Sequence, residues 1–145
     1  MTDCPACGNK KSCGKHHVYV IELQPSVLDQ RKFFPDRTTL SSQPRCFYVG
    51  QTSHRPDCRY KQHVRKNREN RNFDCYCETG QPIRRPFTAF NRGNRFVRDY
   101  HMPGGLRPEL FSHLNPIYKG QEEALKVEAK LACELITAGH AVHFN

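Results

Sequence analysis

Two short apolar segments constrain the fold of this chain more than any other part of the sequence. Residues 17–23 and 46–49 have strand length and are rich in β-branched and aromatic side chains, and the second segment ends at Gly50. We expect these two strands to pair with each other. Residues 24–44 contain three prolines and several Ser and Thr residues, which predicts a long loop with a short helix at residues 27–33.

The clearest helix is predicted at residues 121–138, with Gly139 as its C-terminal stop. A projection at about 100° per residue gives this helix one apolar arc, formed by Ala124, Leu125, Val127, Leu131, Ala132 and Leu135. Glu128 falls near the middle of that arc. A buried carboxylate is costly unless it meets a cation, a metal ion or hydrogen-bond donors, so Glu128 is a candidate functional residue. The alternative is a buried structural ion pair.

The remaining regular elements predict a mixed α and β fold. A short closing strand is expected at residues 140–144, and a helix is expected at residues 56–70, where Pro56 and Asp57 suit a first turn. A chain of 145 residues is long enough for one compact domain with a modest core.

One face of the helix expected at residues 56–70 is cationic. Arg59, His63, Lys66 and Asn70 follow one another at positions i, i+4, i+7 and i+11, so they share a face. We expect this cationic face to be directed at a partner. The alternative is an ordinary solvated surface helix.

The charge of the chain favours a polyanionic partner such as DNA or RNA. The formal net charge is +9 and the isoelectric point is about 9.3. Residues 72–116 mix six arginines with interleaved aromatic residues, a composition suited to contacts with a nucleic-acid backbone. The aromatic residues interleaved with the arginines include Phe87, Phe90, Phe96 and Tyr100, and their alternative role is packing in the core.

The cysteines cluster at the start of the chain. A C-x2-C-x5-C-x2-H pattern is formed by Cys4, Cys7, Cys13 and His16. Two short ligand pairs at this spacing can surround a tetrahedral zinc ion, so we expect residues 1–16 to form a zinc-knuckle-like segment. The zinc is expected to be structural, because a closed four-ligand site leaves no position for water. His17 is an alternative fourth ligand, and incidental cysteines in a disordered leader are the alternative interpretation.

A second cysteine pair, Cys75 and Cys77, competes for the same metal ion. Together with Cys4 and Cys7 it would complete a four-cysteine site. The sequence therefore leaves the ligand set of the zinc open.

The first residues bear on the compartment of the protein. They lack the apolar segment of an export signal, and no stretch approaches the roughly 20 apolar residues that span a membrane. We therefore expect a cytoplasmic protein without a membrane partner. Its cysteines are then better explained by metal ligation than by disulfides.

An ordered set of residues resembles the GIY-YIG nuclease family. In chain order the set consists of Tyr19, Tyr48-Val49-Gly50, Arg59, His63 and Glu128. The resemblance covers residues 17–145. Its most specific part is the run Phe47-Tyr48-Val49-Gly50-Gln51-Thr52 followed by Arg59 and His63, which are one helical turn apart.

The resemblance has departures from the family pattern. The first motif is His-Val-Tyr, ending at Tyr19, where the family has Gly-Ile-Tyr, and Val49 replaces Ile in the second motif. The two tyrosines are also farther apart than in the family's usual short hairpin, and this insertion resembles the restriction-endonuclease branch. Asn145 follows Glu128 and Asn115 precedes it, so the family's late asparagine has no secure counterpart.

The resemblance implies an α+β fold in which a small three-stranded antiparallel sheet is flanked by helices. Residues 17–145 would form this nuclease domain, and the zinc-knuckle-like segment at residues 1–16 would precede it. The implied activity is metal-dependent hydrolysis of DNA phosphodiester bonds.

The resemblance also implies a role for each residue of the set. Arg59 would stabilise the negative charge that develops on the phosphate, and Glu128 would hold one Mg²⁺ or Mn²⁺ ion. Tyr19 would act as a phenolate base on the attacking water, with His63 accepting or relaying the proton. Tyr48 would be a second hydrogen-bonding group on the phosphate or the water.

The sequence therefore favours a metal-dependent DNA endonuclease that acts as a monomer or a homodimer. An RNA-processing nuclease stays open within the same class of enzyme. The alternative from another class is a non-catalytic, zinc-containing nucleic-acid-binding module. Strong salt dependence of binding without metal-dependent turnover would distinguish the binding module.

Overall fold

A computed structural model describes residues 16–53, 55–64, 72–75, 83–86 and 94–144 of the chain. The strands are β1 (His17–Leu23), β2 (Cys46–Thr52), β3 (Asn72–Cys75), β4 (Ile83–Pro86), β5 (His101–Leu106) and β6 (Ala141–Phe144). The α-helices are α1 (Pro56–Val64), α2 (Arg95–Tyr100) and α3 (Gln121–Thr137). The described part of the chain is thus an α+β fold with a four-stranded mixed sheet, in the order β5-β1-β2-β6, and three helices.

Strands β1 and β2 form the centre of the sheet. The predicted pairing of the two strands is confirmed, and β2 continues past the predicted end at Val49 to Thr52. The strands pair antiparallel, with Tyr19 opposite Gly50 and Ile21 opposite Tyr48. Directly paired residues of antiparallel strands point to the same face of a sheet. Tyr19 and Tyr48 therefore share a face, and α1 adds His63 to it.

The expectation of a three-stranded antiparallel sheet is wrong in two respects. β5 pairs antiparallel with the outer side of β1 and gives the sheet a fourth strand. It contains Pro103, Gly104 and Gly105, which disfavour strand prediction from sequence but are tolerated at a sheet edge. In addition, β6 runs parallel to β2, because α3 carries the chain back along the sheet before β6 begins.

Helix α3 packs against β1, β2 and β6. Its bounds agree closely with the predicted helix, and Gly139 follows it with φ of 96°, a backbone conformation that glycine adopts readily. The buried stripe consists of Ala124, Glu128, Leu131 and Ala132. The predicted apolar arc is wrong at Leu125, whose side chain is 41% exposed.

The loop between β1 and β2 contains a single short turn of helix. This 3-10 helix spans Pro25–Asp29, earlier than the helix expected at residues 27–33, and it buries Val27 against the core. Phe33 is also buried beneath the loop. The loop is therefore anchored to the sheet by apolar side chains.

The structure differs from expectation in the arginine-rich middle of the chain. Helix α2 and the two-stranded β3-β4 sheet lie in this part and were not predicted. α1 begins at Pro56 as predicted, and residues 65–70 of the expected helix lie outside the described residues. In the part of the chain that is described, no helix is both long enough and apolar enough to cross a bilayer.

Candidate active site

The Tyr19 ring packs directly over Gly50. If position 50 carried a Cβ atom, that atom would lie 2.6 Å from Cζ of Tyr19, far closer than van der Waals contact. The glycine of the Tyr-Val-Gly tripeptide therefore leaves room for the Tyr19 ring to lie over the backbone of β2. A local motif in β2 thus controls the position of a side chain from another strand.

His63 on α1 contacts the hydroxyl group of Tyr19. The distance between Nε2 of His63 and Oη of Tyr19 is 2.7 Å. At the other side of the ring, Nδ1 accepts a hydrogen bond of 2.9 Å from the backbone N–H of Asn94. His63 is fully buried, and each of its ring nitrogens has a hydrogen-bond partner within the protein. Burial, and secondly the charge of Arg59, lower the pKa of His63 well below 6.5.

Tyr48 and Arg59 complete a cluster with Tyr19 and His63, which we call the tyrosine–histidine cluster. The Tyr48 ring centroid lies 6.2 Å from that of Tyr19 and 5.1 Å from that of His63. Burial and the neighbouring Tyr48 raise the pKa of Tyr19 well above 10, although the charge of Arg59 and a hydrogen bond from it act in the opposite direction. Three elements, β1, β2 and α1, thus bring these four predicted residues together.

Glu128 is buried in α3, as the helix projection predicted. Its side chain is 1% exposed, and neither carboxylate oxygen has a hydrogen-bond partner among the described residues. Burial raises the pKa of Glu128 to about 7. No described hydrogen bond or ion pair joins this carboxylate to the tyrosine–histidine cluster or to an arginine. The structural ion pair considered from the sequence is therefore not seen in the described part of the chain.

The Glu128 carboxylate fits a divalent metal ion by its chemistry. Mg²⁺ and Mn²⁺ prefer oxygen ligands, and Mg²⁺ is often held by one or two carboxylates while it keeps several waters. Two buried oxygens that have no partner among the described residues are available for such an ion. Glu128 is therefore consistent with the predicted metal role. Without a metal ion, burial favours the protonated, neutral form of the same carboxyl group.

The predicted zinc ligands fall mostly outside the described residues. Cys4, Cys7, Cys13 and Cys77 all lie there, and so does Asn145. His16 is described, and its backbone forms an isolated antiparallel bridge with Ile117. Between residues 16 and 144, the described ranges contain no group of three or more His, Cys, Asp or Glu side chains that could hold a metal ion.

Asn115 has a structural contact with β1. Its Oδ1 accepts a hydrogen bond of 2.8 Å from the backbone N–H of Val18, and its Nδ2 donates one of 2.9 Å to the Val18 carbonyl. The side chain thereby pairs with the backbone of β1 as a neighbouring strand would. This contact gives the partly buried Asn115 amide a structural role in this position.

Two residues next to the cluster were missed from the sequence. Asn94 caps α2 and bonds to His63 through its backbone, and an Asn that precedes a helix is a signal that could have revealed the cap. His143 of β6 pairs with Tyr48, and the two rings stack with centroids 6.1 Å apart. Only the pairing of β6 with β2 brings His143 to this place.

Comparison of the chain with protein-family models, with curated proteins and with solved structures found no match.

Proposed function

We propose that this protein is a metal-dependent endonuclease of the GIY-YIG type that hydrolyses phosphodiester bonds of DNA. The observation that supports the proposal most is the 2.7 Å contact between Tyr19 and His63, with Tyr48 and Arg59 beside it. These four residues come from three elements and occur in the order of the family motifs. A cluster of hydroxyl, imidazole and guanidinium groups suits a reaction in which a phosphate is bound and water attacks it.

Arg59 is the member of the cluster that a phosphate would meet first. Its side chain is partly exposed, whereas Tyr19, Tyr48 and His63 are buried. A guanidinium group can donate two hydrogen bonds to phosphate oxygens and stabilise the negative charge that grows there in the transition state. Arg59 is therefore the proposed transition-state stabiliser.

Tyr19 and His63 are proposed to assist the attack of water as a hydrogen-bonded pair. Tyr48 would contribute a second hydroxyl group near the same phosphate or water. The buried position of these groups keeps their geometry fixed and strengthens each hydrogen bond relative to bulk water. Gly50 supports the site because it leaves room for the Tyr19 ring.

Glu128 is the proposed ligand of one Mg²⁺ or Mn²⁺ ion. A bound ion would supply Lewis-acid polarisation of the phosphate and charge neutralisation at the leaving oxygen. The support for this part is the burial of Glu128 and its two oxygens without described partners. At neutral pH its raised pKa leaves a large protonated fraction, and a cation would favour the ionised form.

The positive charge of the chain supports a nucleic-acid substrate. A formal net charge of +9 attracts a polyanion regardless of its base sequence. Because one chain contains one proposed site, a double-strand cut would need a homodimer or two successive nicks.

The test is cleavage of supercoiled plasmid and of single-stranded DNA by the purified protein with Mg²⁺ or Mn²⁺. We expect metal-dependent cleavage that the Arg59→Ala substitution reduces by about 100-fold or more, as for loss of a transition-state donor. Lys61→Ala is the matched control, since it removes a cation from the same helix outside the cluster. Equal cleavage by wild type and Arg59→Ala would overturn the assignment of Arg59.

The same preparation tests the alternatives. Tight, salt-sensitive binding of DNA with no cleavage under any metal condition would identify a zinc-containing binding module instead. Cleavage of structured RNA with DNA left intact would identify an RNA-processing nuclease.

A further inference from the structure

The two hydrogen bonds of His63 restrict the position of its ring proton. A neutral imidazole carries one proton, so one of its nitrogens donates and the other accepts. A backbone N–H can only donate, and the N–H of Asn94 lies 2.9 Å from Nδ1 of His63. Nδ1 must therefore be the accepting nitrogen, and the ring proton must reside on Nε2.

The proton in the bond between His63 and Tyr19 then belongs to His63. Nε2 lies 2.7 Å from Oη of Tyr19, and with its proton in place it donates to that oxygen. The hydroxyl proton of Tyr19 must then point away from His63. In a doubly protonated His63, the Nδ1–H group would face the N–H of Asn94, and two donors cannot form a hydrogen bond. These surroundings therefore favour the neutral ring.

We propose that the backbone N–H of Asn94 holds His63 in its Nε2–H tautomer, so that His63 donates a hydrogen bond to Tyr19 and does not take its proton. Asn94 is a positioning residue in this scheme, because it acts on the site through His63. The part of the proposal that concerns cleavage rests on the proposed nuclease function, whereas the tautomer itself does not.

The capping geometry of Asn94 explains why its N–H is fixed. Its Oδ1 accepts hydrogen bonds from the backbone N–H groups of Phe96 and Val97, at 2.8 and 3.4 Å. The side chain thereby ties the first turn of α2 to residue 94. The rigid start of α2 then holds the backbone of residue 94 against α1.

The consequence for the reaction differs from the sequence expectation that His63 accepts or relays a proton. In the Nε2–H tautomer, His63 has no free lone pair facing Tyr19, so no proton moves between these two groups. Tyr19 keeps its own proton, and Tyr48, which shares a side-chain hydrogen bond with Tyr19, is the neighbour that can accept that bond. His63 orients the hydroxyl group that makes this contact.

A direct test is the tautomeric state of His63 in the full chain, measured by long-range ¹H–¹⁵N NMR correlations. The His63 signals are assigned by their loss in His63→Gln. We expect the wild type to carry its ring proton on Nε2. A ring proton on Nδ1, or a doubly protonated ring at neutral pH, would overturn the proposal.

Two substitutions at position 94 separate the backbone donor from the helix cap. Asn94→Ala removes the capping side chain but keeps the N–H, and we expect it to retain the Nε2–H tautomer. Asn94→Pro removes the N–H as well, and the native φ of −69° suits proline. We expect Asn94→Pro to populate the Nδ1–H tautomer. If folded Asn94→Pro kept pure Nε2–H, the role of Asn94 would be refuted; if it failed to fold, the wild type and Asn94→Ala would still decide the tautomer.

Activity distinguishes a donor from a proton acceptor. The amide N–H of Gln can replace Nε2–H as a donor, but it cannot accept a proton, so His63→Gln should cleave within about tenfold of wild type. His63→Ala should lose more than His63→Gln. Loss of a true proton acceptor would cost about 100-fold to 10,000-fold in both variants. An equally inactive, folded His63→Gln would contradict the donor role. If the wild type cut no nucleic acid, the nuclease proposal would fail while the NMR result on the tautomer stood.

Discussion

Two buried carboxylates of this protein have opposite surroundings. Glu22 of β1 accepts hydrogen bonds from Nη2 and Nε of Arg45, at 2.6 and 3.0 Å, and from Nε of Arg107 at 2.9 Å. The pKa of Glu22 is lowered, chiefly by the hydrogen bonds from Arg45 and to a smaller extent by the one from Arg107. Glu128 of α3 has no hydrogen-bond partner among the described residues, and burial raises its pKa to about 7.

The difference separates a structural carboxylate from a functional candidate. Burial of a charge is costly, and Glu22 offsets that cost with two guanidinium groups. Glu128 has no such compensation in the described part of the chain, so it weakens the fold whenever it is ionised. A residue that lowers stability without compensation is better explained by a ligand than by packing.

The largest expected effect concerns activity. Glu128→Gln keeps the size of the side chain but replaces a metal-ligating carboxylate, and we expect it to reduce plasmid cleavage at saturating Mg²⁺ by at least about 100-fold. Glu22→Gln is the matched control and should cleave at nearly the wild-type rate at a temperature where it is folded. Equal rates for Glu128→Gln and the wild type would remove Glu128 from the site.

The next effect concerns the pH dependence of stability without added metal. Because the folded pKa of Glu128 is raised from about 4.5 to about 7, its favourable contribution is complete below pH 4.5 and is lost as the pH rises through 7. This loss amounts to about 3 kcal/mol. We expect the free energy of unfolding, measured by urea titration, to fall between pH 5 and pH 8 in the wild type. The fall should be smaller in Glu128→Gln, which has no carboxylate to titrate.

The control for this titration is Glu122→Gln, which changes an exposed glutamate of the same helix. It should retain the pH dependence of the wild type. If Glu128→Gln also retained it, Glu128 would not be the titrating group.

A smaller loss is expected at the other carboxylate. Glu22→Gln removes the negative charge from between Arg45 and Arg107 and should lower the free energy of unfolding at pH 7 by about 1–2 kcal/mol, since Arg45 is half-exposed. The pKa of Glu22 is lowered, so its contribution is present above pH 4.5 and is lost as the pH falls below that value. If the free energy of unfolding of Glu22→Gln fell below pH 4.5 as steeply as that of the wild type, these ion pairs would contribute nothing to stability.

The smallest effect is expected from Arg45→Lys. Lysine keeps the charge but cannot reproduce the two parallel bonds of the guanidinium group to Glu22. The loss of stability should stay below about 1 kcal/mol, because 47% of the Arg45 side chain is exposed to solvent. A loss as large as that of Glu22→Gln would show that geometry, more than charge, stabilises this pair.

The most predictable elements were those with a strong local signal. β1 and α3 were predicted nearly at their observed bounds, because β-branched residues in β1 and a regular apolar period in α3 report the local backbone. The burial of Glu128 followed from the same period and is confirmed. The catalytic and metal-binding roles of the site residues stay predictions.

The less predictable elements depend on distant partners. β5 contains a proline and two glycines, and it becomes a strand because β1 offers it an unpaired edge. The contact of Asn94 with His63 joins residues far apart in the chain, and only the packing of α2 against α1 creates it. Neither feature has a local pattern that reports it.

The sequence by itself determined which side chains are available: two tyrosines on neighbouring strands, Arg59 and His63 one turn apart, and a glutamate on a core-facing stripe. Local periodicity is sufficient for this, because it fixes the face on which a side chain lies. The tertiary structure alone decided that Glu22 has two arginine partners while Glu128 has none in the described part of the chain, and that His63 has Asn94 as a second partner. The physical reason is that hydrogen bonding and desolvation depend on every atom around a group, and most of those atoms come from distant parts of the chain.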